Sequence, residues 1–161
     1  MQRRLTFAAL AAIAFAAPAA AQDTSLAANF GEVTLEAGFV PDPHQVRITA
    51  GGTIDASTIS GASCVGKISA APDYKVNYTG GGFPLVFRSF GASDTTLVIN
   101  DAQGNWHCDD DSGTGLNAQI VFYDPPSGVY DIWVGTFGEE IAPSKLTVSE
   151  LLDVGTEDTG G

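Results

Sequence analysis

Basic residues are scarce in this sequence. Its 161 residues include seven Lys and Arg against nineteen Asp and Glu, for a formal net charge of −12. A field of this sign repels nucleic acids and anionic lipids, and it favours cations and basic partners. We therefore exclude nucleic-acid binding.

Cysteine and histidine are scarce as well. Cys64 and Cys108 are the only cysteines, and His44 and His107 the only histidines. Their spacing does not match that of a zinc site. In an oxidising compartment two cysteines predict one structural disulfide. It would close a loop of 108 − 64 = 44 residues, and chain entropy alone would then stabilise the fold by about 4 kcal/mol.

Long apolar runs are absent after residue 21. The one such run, residues 5–17, follows two arginines and precedes the small residues 19–21. This order is typical of a secretory signal peptide, and the run is too short for a membrane anchor. We predict a signal peptide over 1–21 and export to the periplasm or the medium, with no membrane span. Cleavage would leave 161 − 21 = 140 residues with five basic and nineteen acidic side chains.

Helical periodicity is also missing from the rest of the chain, where apolar residues alternate with period two. Short runs rich in β-branched and aromatic residues are separated by Gly, Pro, Asp and Asn: "EVTLEAG", "QVRITA", "YKVNY", "PLVFRSF", "TTLVIN", "AQIVFYD", "VYDIWVGTF" and "KLTVSEL". Such a pattern predicts eight or nine strands in an all-β, two-sheet antiparallel sandwich over residues 22–152. The polar, Gly-rich end, 153–161, is predicted to be a disordered acidic tail.

From residue 94 onward the order of turns and strands resembles the bacterial pre-peptidase C-terminal domain. The matching positions are Asp94, 101–104, 109–115, 125–128, Tyr130 and Val134. The resemblance is strongest over 94–137 and extends over about 30–150. It implies a jelly-roll-like β-sandwich without a catalytic signature. With Cys64 and Cys108 and no peptidase domain ahead of it, this sequence looks closest to a stand-alone secreted subgroup.

The acidic stretch "NWHCDDDSGTG" at 105–115 has three interpretations. Ser112 between Asp and Gly suggests a nucleophile in a small secreted hydrolase or peptidase, in a distant triad with His44 and one Asp. However, Asp110 and Thr114 stand where the trypsin-like motif G-D-S-G-G has its first and last glycine, and His107 is only five residues from Ser112. We therefore expect no catalytic residues here.

Calcium binding is the second interpretation of this stretch. Successive carboxylates in a Gly-rich loop suit a hard cation, so Asp109, Asp110 and Asp111, together with Asp94, form a candidate calcium site. An EF-hand is excluded, because Thr114 and Ile120 stand where that loop needs Gly and Glu. In the third interpretation, which we favour, the stretch is a structural turn. Trp106 and Cys108 would then lie on one face of the preceding strand, with His107 exposed on the other.

Aromatic residues near the end of the domain suggest a recognition surface. Tyr130, Ile132 and Val134 share one face of a strand, and Trp133 lies on the other. We favour packing of Trp133 in the core or at the rim, beneath a neighbouring loop. If the Tyr130 face is the core and Trp133 is exposed, Trp133 and Tyr123 could together bind a peptide or a sugar. The sequence therefore predicts a non-catalytic exported module that binds a protein or polysaccharide partner, with calcium as the one candidate cofactor. The alternatives are the Ser112 hydrolase and a calcium-stabilised structural protein of the envelope.

Overall fold

The computed structural model describes residues 22–59, 61–138 and 141–153. The signal peptide predicted over 1–21 and residues 154–161 of the predicted tail lie outside them. The described strands, in chain order, are β1 Glu32–Glu36, β2 His44–Ala50, β3 Ile54–Asp55, β4 Lys67–Ile68, β5 Tyr74–Thr79, β6 Leu85–Gly91, β7 Thr95–Asn100, β8 Trp106–Asp109, β9 Gln119–Phe122, β10 Gly128–Thr136 and β11 Ala142–Ser149. One 3₁₀ turn, Ala56–Thr58, follows β3.

The strands form two sheets. The smaller sheet has the order β2-β11-β6-β9, and the larger one has seven strands around β10. Ile132 of β10 pairs with β5 on one side and with β7 on the other. Thr136, at the end of β10, pairs with β4 and β7. Hence β5 and β4 lie one after the other along one edge of β10. β1 extends the sheet beyond β5, β3 lies beside β4, and β8 lies beyond β7.

The predicted all-β, two-sheet architecture is confirmed, with two differences in detail. β1 pairs with β5 in parallel, so the sandwich is not purely antiparallel as expected. The described residues also contain eleven strands where eight or nine were predicted. β3 and β4 were missed because each has only two residues, which is too short for alternation to show.

The main core lies between the two sheets, where the inward faces of their strands meet. Tyr130, Ile132 and Val134 of β10 are fully buried there, together with Phe87 of β6 and Leu146 of β11. Large apolar side chains from both sheets thus exclude water from the interior, which is the main favourable term for folding. The alternation along β10 grouped these three residues on one face but left open which face is the core, and the structure places their face there.

A second apolar cluster covers the outer face of the larger sheet. Residues 54–59 and 61–66, here called the cap, cross this face and contribute Ile54, Ala56, Ile59 and Cys64. Gly66 ends the cap with φ +91°, and a Cβ there would lie 2.7 Å from the Thr136 carbonyl oxygen. Glycine is therefore required at this close approach.

The predicted disulfide is present and ties the cap to the sheet. Cys64 of the cap is bonded to Cys108 of β8, with their Cα atoms 5.2 Å apart. Trp106, on the same face of β8 as Cys108, packs against Trp133 with 5.4 Å between ring centroids. The two tryptophans and the disulfide therefore belong to one buried cluster.

Candidate functional site

Ser112 is held in a turn and faces neither histidine. Its hydroxyl donates to Asp109 Oδ1 at 2.5 Å and its backbone N–H donates to Asp109 Oδ2 at 3.0 Å. His107 Nε2 instead bonds Asp101 Oδ2 at 2.8 Å, and His44 Nε2 bonds the Tyr74 hydroxyl at 3.0 Å. A hydrolytic serine needs a base within hydrogen-bonding reach. The geometry therefore gives the Ser112 hydrolase no support.

Asp109 stabilises the turn that follows β8, residues 109–115, here called the acidic turn. In addition to its two bonds with Ser112, its Oδ2 accepts the backbone N–H of Gln119, the first residue of β9, at 2.8 Å. Both carboxylate oxygens are thus satisfied by donors within the chain. Short acidic side chains commonly cap backbone amides in this way, which agrees with the structural interpretation of this stretch.

The four-carboxylate calcium site is not assembled as the sequence suggested. Asp94 does lie near the turn: burial, with the negative charges of Asp111 and Asp110, raises the pKa of the Asp94 carboxyl. Asp109, however, is turned toward Ser112 and Gln119. Across the parts of the chain that the structure describes, no three His, Cys, Asp or Glu side chains are grouped so as to hold a metal ion. The predicted calcium site is therefore corrected, because the Asp109 carboxylate accepts hydrogen bonds from the backbone N–H groups of Ser112 and Gln119.

The predicted Trp133–Tyr123 patch is wrong for Trp133. Its side chain is 0% exposed in the cluster beneath the cap. The sequence left open whether a loop covers Trp133, and the cap covers it, as the favoured interpretation expected. Tyr123, directly after β9, is 70% exposed, and it remains available for contact.

His107 has a more specific environment than a solvent-exposed histidine. It is half-exposed, it pairs with the buried carboxylate of Asp101, and its ring meets the edge of Phe122 with centroids 4.8 Å apart. Asp101 Oδ1 also accepts the backbone N–H groups of Gln103 and Asn105. The pair thus fixes the β7–β8 turn next to β9.

Exposed apolar side chains lie at both ends of the sandwich, three at the end with the β10–β11 connection and five at the end with the β7–β8 turn. Residues preceding β2 and β6 and residues following β11 and β9 share this end, because His44 pairs with Val148, Val86 with Ser149, and Leu85 with Phe122. Five large apolar residues lie in these segments, and they are here called the apolar end: Val40, Phe83, Tyr123, Leu151 and Leu152. Each is at least 49% exposed.

The backbone of the apolar end is held by polar contacts, of which the Tyr78–Glu150 bond is buried. The Glu150 carboxylate accepts the Tyr78 hydroxyl at 2.6 Å and the Gly38 N–H at 2.7 Å. Gly80 N–H donates to Ser127 Oγ at 2.9 Å, which joins the β5–β6 and β9–β10 loops. The exposed side chains are therefore presented on a fixed frame, which lowers the entropy lost on binding.

Four of the five residues of the apolar end were not predicted from the sequence. Only Tyr123 was singled out. The others carry a weak signal: Val40, Phe83 and Leu152 are large apolar residues outside any alternating run, and Leu151 is the last residue of one such run. Their proximity depends on strand pairing, which the sequence does not give.

Comparison with known proteins yields structural similarity alone. No protein-family model matches the chain, and no curated protein matches it. One similar solved structure is PliG from Aeromonas hydrophila, a periplasmic lysozyme inhibitor of g-type lysozyme. It is 16% identical with a TM-score of 0.41, covering 73% of this chain and 96% of that one.

The pre-peptidase C-terminal domain of a Bacillus anthracis collagenase is another similar structure. It is 11% identical with a TM-score of 0.45, covering 73% of this chain and 94% of that one. A domain of the family that the sequence resembles is thus among the structural neighbours. Because both TM-scores are below 0.5, neither match transfers a partner or an activity to this chain. In the described residues, no helix is long and apolar enough to cross a membrane.

Proposed function

We propose that this protein is an exported, non-catalytic β-sandwich module whose apolar end binds a protein partner. The observation that carries the proposal is the grouping of Val40, Phe83, Tyr123, Leu151 and Leu152 at one end of the four-stranded sheet. Large exposed apolar side chains grouped at one end of a domain favour an interaction site there. The signal-peptide pattern and the disulfide support export.

The composition of the apolar end favours a protein over a polysaccharide. Val40, Leu151 and Leu152 are aliphatic, and only Phe83 and Tyr123 are aromatic. Aliphatic side chains bury best against apolar side chains of another protein, whose interface cores are depleted of charge. The two aromatic residues would serve as anchors, since aromatic side chains are enriched among the residues that dominate interface energies.

The arrangement of Ser112 supports a non-catalytic role. Its hydroxyl is bonded to the carboxylate that braces its own turn, and both histidines are bonded elsewhere. Binding by the apolar end requires no chemistry from these groups. The acidic turn lies at the other end of the strands, since it follows the end of β8 and precedes the start of β9.

The experiment compares two triple variants with the wild-type protein. In the first, Val40→Ser, Phe83→Ser and Tyr123→Ser remove exposed apolar groups from the apolar end. The matched control, Leu116→Ser, Phe137→Ser and Ile141→Ser, removes equally exposed groups from loops at the opposite end. Each protein is immobilised and exposed to the exported proteins of the source cell, and retained proteins are quantified by mass spectrometry.

We expect at least one protein to be retained by the wild type and by the control, and to be depleted at least tenfold on the first variant. Melting curves verify that both variants remain folded, as expected for exposed positions. Equal retention by all three proteins, or no specific retention by the wild type, would refute the proposal.

A further inference from the structure

We infer that the partner of the apolar end is a cationic protein; this inference rests on the proposed function. It comes from the way charge is distributed between strands and loops. The five basic residues of the described chain all lie within strands: Arg47, Lys67, Lys75, Arg88 and Lys145. The loops that connect the strands therefore contain no Lys or Arg at either end of the sandwich.

Four of these five cations already interact within the protein. Lys75 lies 2.9 Å from Asp131, and Lys67 lies 3.4 Å from Asp55. The ammonium of Lys145 lies over the ring of Phe90, 5.1 Å from its centroid. The positive charges of these three lysines are therefore held along the strands and do not lie in the loops of the apolar end.

Arg88 is the cation that comes closest to the apolar end, and it is directed to the backbone there. Its guanidinium donates to the carbonyl oxygens of Leu151 and Leu152, at 3.3 and 2.6 Å from Nη2, and to Gln119 Oε1. Arg88 as a whole residue is 6% exposed. Arg88 thus fixes the segment that carries two of the apolar residues, and its positive charge interacts with the carboxylates of Asp153 and Asp42.

Carboxylates are the only charged groups in the loops of the apolar end. The loops 37–43, 80–84, 101–105 and 123–127 and the segment 150–153 contain Asp42, Asp101, Asp124, Glu150 and Asp153. Asp101 and Glu150 are buried and bonded internally. Asp124 and Asp153 are exposed, as is Glu36 at the end of β1. The apolar surface is therefore bordered by exposed negative charge.

Exposed carboxylates around the apolar end favour a partner with positive charge. Complementary charge around an apolar contact accelerates association and disfavours partners of the same sign. The formal charge of −12 for the whole chain adds a long-range field of the same sign. Acidic proteins, nucleic acids and anionic lipids are repelled, so a protein with a positively charged surface around an apolar recess fits this end.

The test uses charge variants of equal magnitude at the two ends. Glu36→Gln, Asp124→Asn and Asp153→Asn remove three negative charges at the apolar end. The control, Glu32→Gln, Asp110→Asn and Asp111→Asn, removes three at the opposite end. Both are immobilised beside the wild type and the apolar-end variant, and the same exported fraction is applied, either untreated or with its lysines succinylated, at 50 and 300 mM NaCl.

The expected result concerns only those proteins whose retention requires the apolar end. These should have isoelectric points above about 9, as nucleic-acid-binding and other strongly basic domains do. Their retention should fall at least tenfold on succinylation, at 300 mM NaCl and on the apolar-end charge variant, and less than twofold on the control.

Two outcomes would overturn the inference, and they differ from each other. If proteins require the apolar end but are neutral or acidic, or are unaffected by salt and by the charge variant, the inference is wrong and the proposed function stands. If no retained protein depends on Val40, Phe83 and Tyr123, the proposed function fails and the inference fails with it.

Discussion

The phenol of Tyr78 donates a 2.6 Å hydrogen bond to the buried carboxylate of Glu150, 72 positions later in the chain. This bond joins β5 of the larger sheet to the residue that follows β11 of the smaller one. It lies beneath the apolar end, so that the two sheets are linked where the exposed side chains are presented. Burial, followed by the negative charge and hydrogen bond of Glu150, raises the pKa of the Tyr78 phenol.

The variant Tyr78→Phe should lower the free energy of unfolding by about 1.5–3 kcal/mol, because it leaves a buried carboxylate with one donor fewer. Urea unfolding measures this change. Tyr74→Phe on the same strand is the matched control, since the Tyr74 hydroxyl bonds the neutral partner His44 at 3.0 Å. Its expected cost is about 0.5–1.5 kcal/mol. A larger effect at Tyr74 than at Tyr78 would contradict this account of the Glu150 bond.

Asp73 should make stability depend on pH in the acidic range. Burial raises the pKa of this carboxyl from 3.8 to about 6, against the opposing hydrogen bonds from Val134, Asn29 and Ser69. Between these pH values the folded state holds a proton that the unfolded chain releases. The contribution to stability is therefore complete below pH 4 and is lost as pH rises through about 6, by on the order of 3 kcal/mol.

The measurement is the difference in unfolding free energy between the wild type and Asp73→Asn at several pH values. The variant cannot titrate at this position, so the wild type should lose stability relative to the variant between pH 4 and pH 6.5. A difference that stays constant over this range would show that the Asp73 pKa is the same in the folded and unfolded chains.

Removal of the disulfide should destabilise the fold and expose the tryptophans. The variant Cys64→Ala, Cys108→Ala releases a 44-residue loop, and we expect a loss of up to about 4 kcal/mol. Because the cap covers Trp133, its partial release should shift tryptophan emission to longer wavelength at temperatures below the main transition. The reduced wild-type protein should behave in the same way. An unchanged emission spectrum would mean that the cap stays in place without the covalent bond.

The three adjacent aspartates of the acidic turn should contribute unequally to the free energy of unfolding. Asp109→Ala removes the acceptor for the Ser112 and Gln119 N–H groups and should cost about 1–3 kcal/mol. Asp110→Ala and Asp111→Ala serve as controls and should change stability by less than about 0.5 kcal/mol, as surface substitutions usually do. Thermal denaturation measures all three, and equal effects would refute the bracing role of Asp109.

Calcium should not change the melting temperature of the wild-type protein. A ligand stabilises a fold only if it binds the folded state, and the described carboxylates form no group of three that could hold the ion. Scans with millimolar calcium and with a chelator should therefore coincide. A rise in the melting temperature with calcium that is lost in Asp94→Asn would reinstate the site suggested by the sequence.

The sequence by itself determined the class of the fold and its covalent link. Alternation with period two reports which residues share a face of a strand, and it grouped Tyr130, Ile132 and Val134 on one face, which the structure shows to be in the core. Two cysteines in a chain with a signal-peptide pattern have one pairing, and Cys64 and Cys108 form it. The structural role of the Asp109–Ser112 turn also followed from local chemistry, because its contacts lie within a few residues.

Only the tertiary structure decided what covers each face and which loops meet. Alternation placed Trp133 on the face opposite Tyr130, Ile132 and Val134, but the cap that buries it, residues 54–59 and 61–66, is far away in the chain. The parallel pairing of β1 with β5 and the approach of Val40, Phe83, Tyr123 and Leu152 depend on strand order and register. Those are set by long-range packing of both sheets at once, which no local pattern encodes.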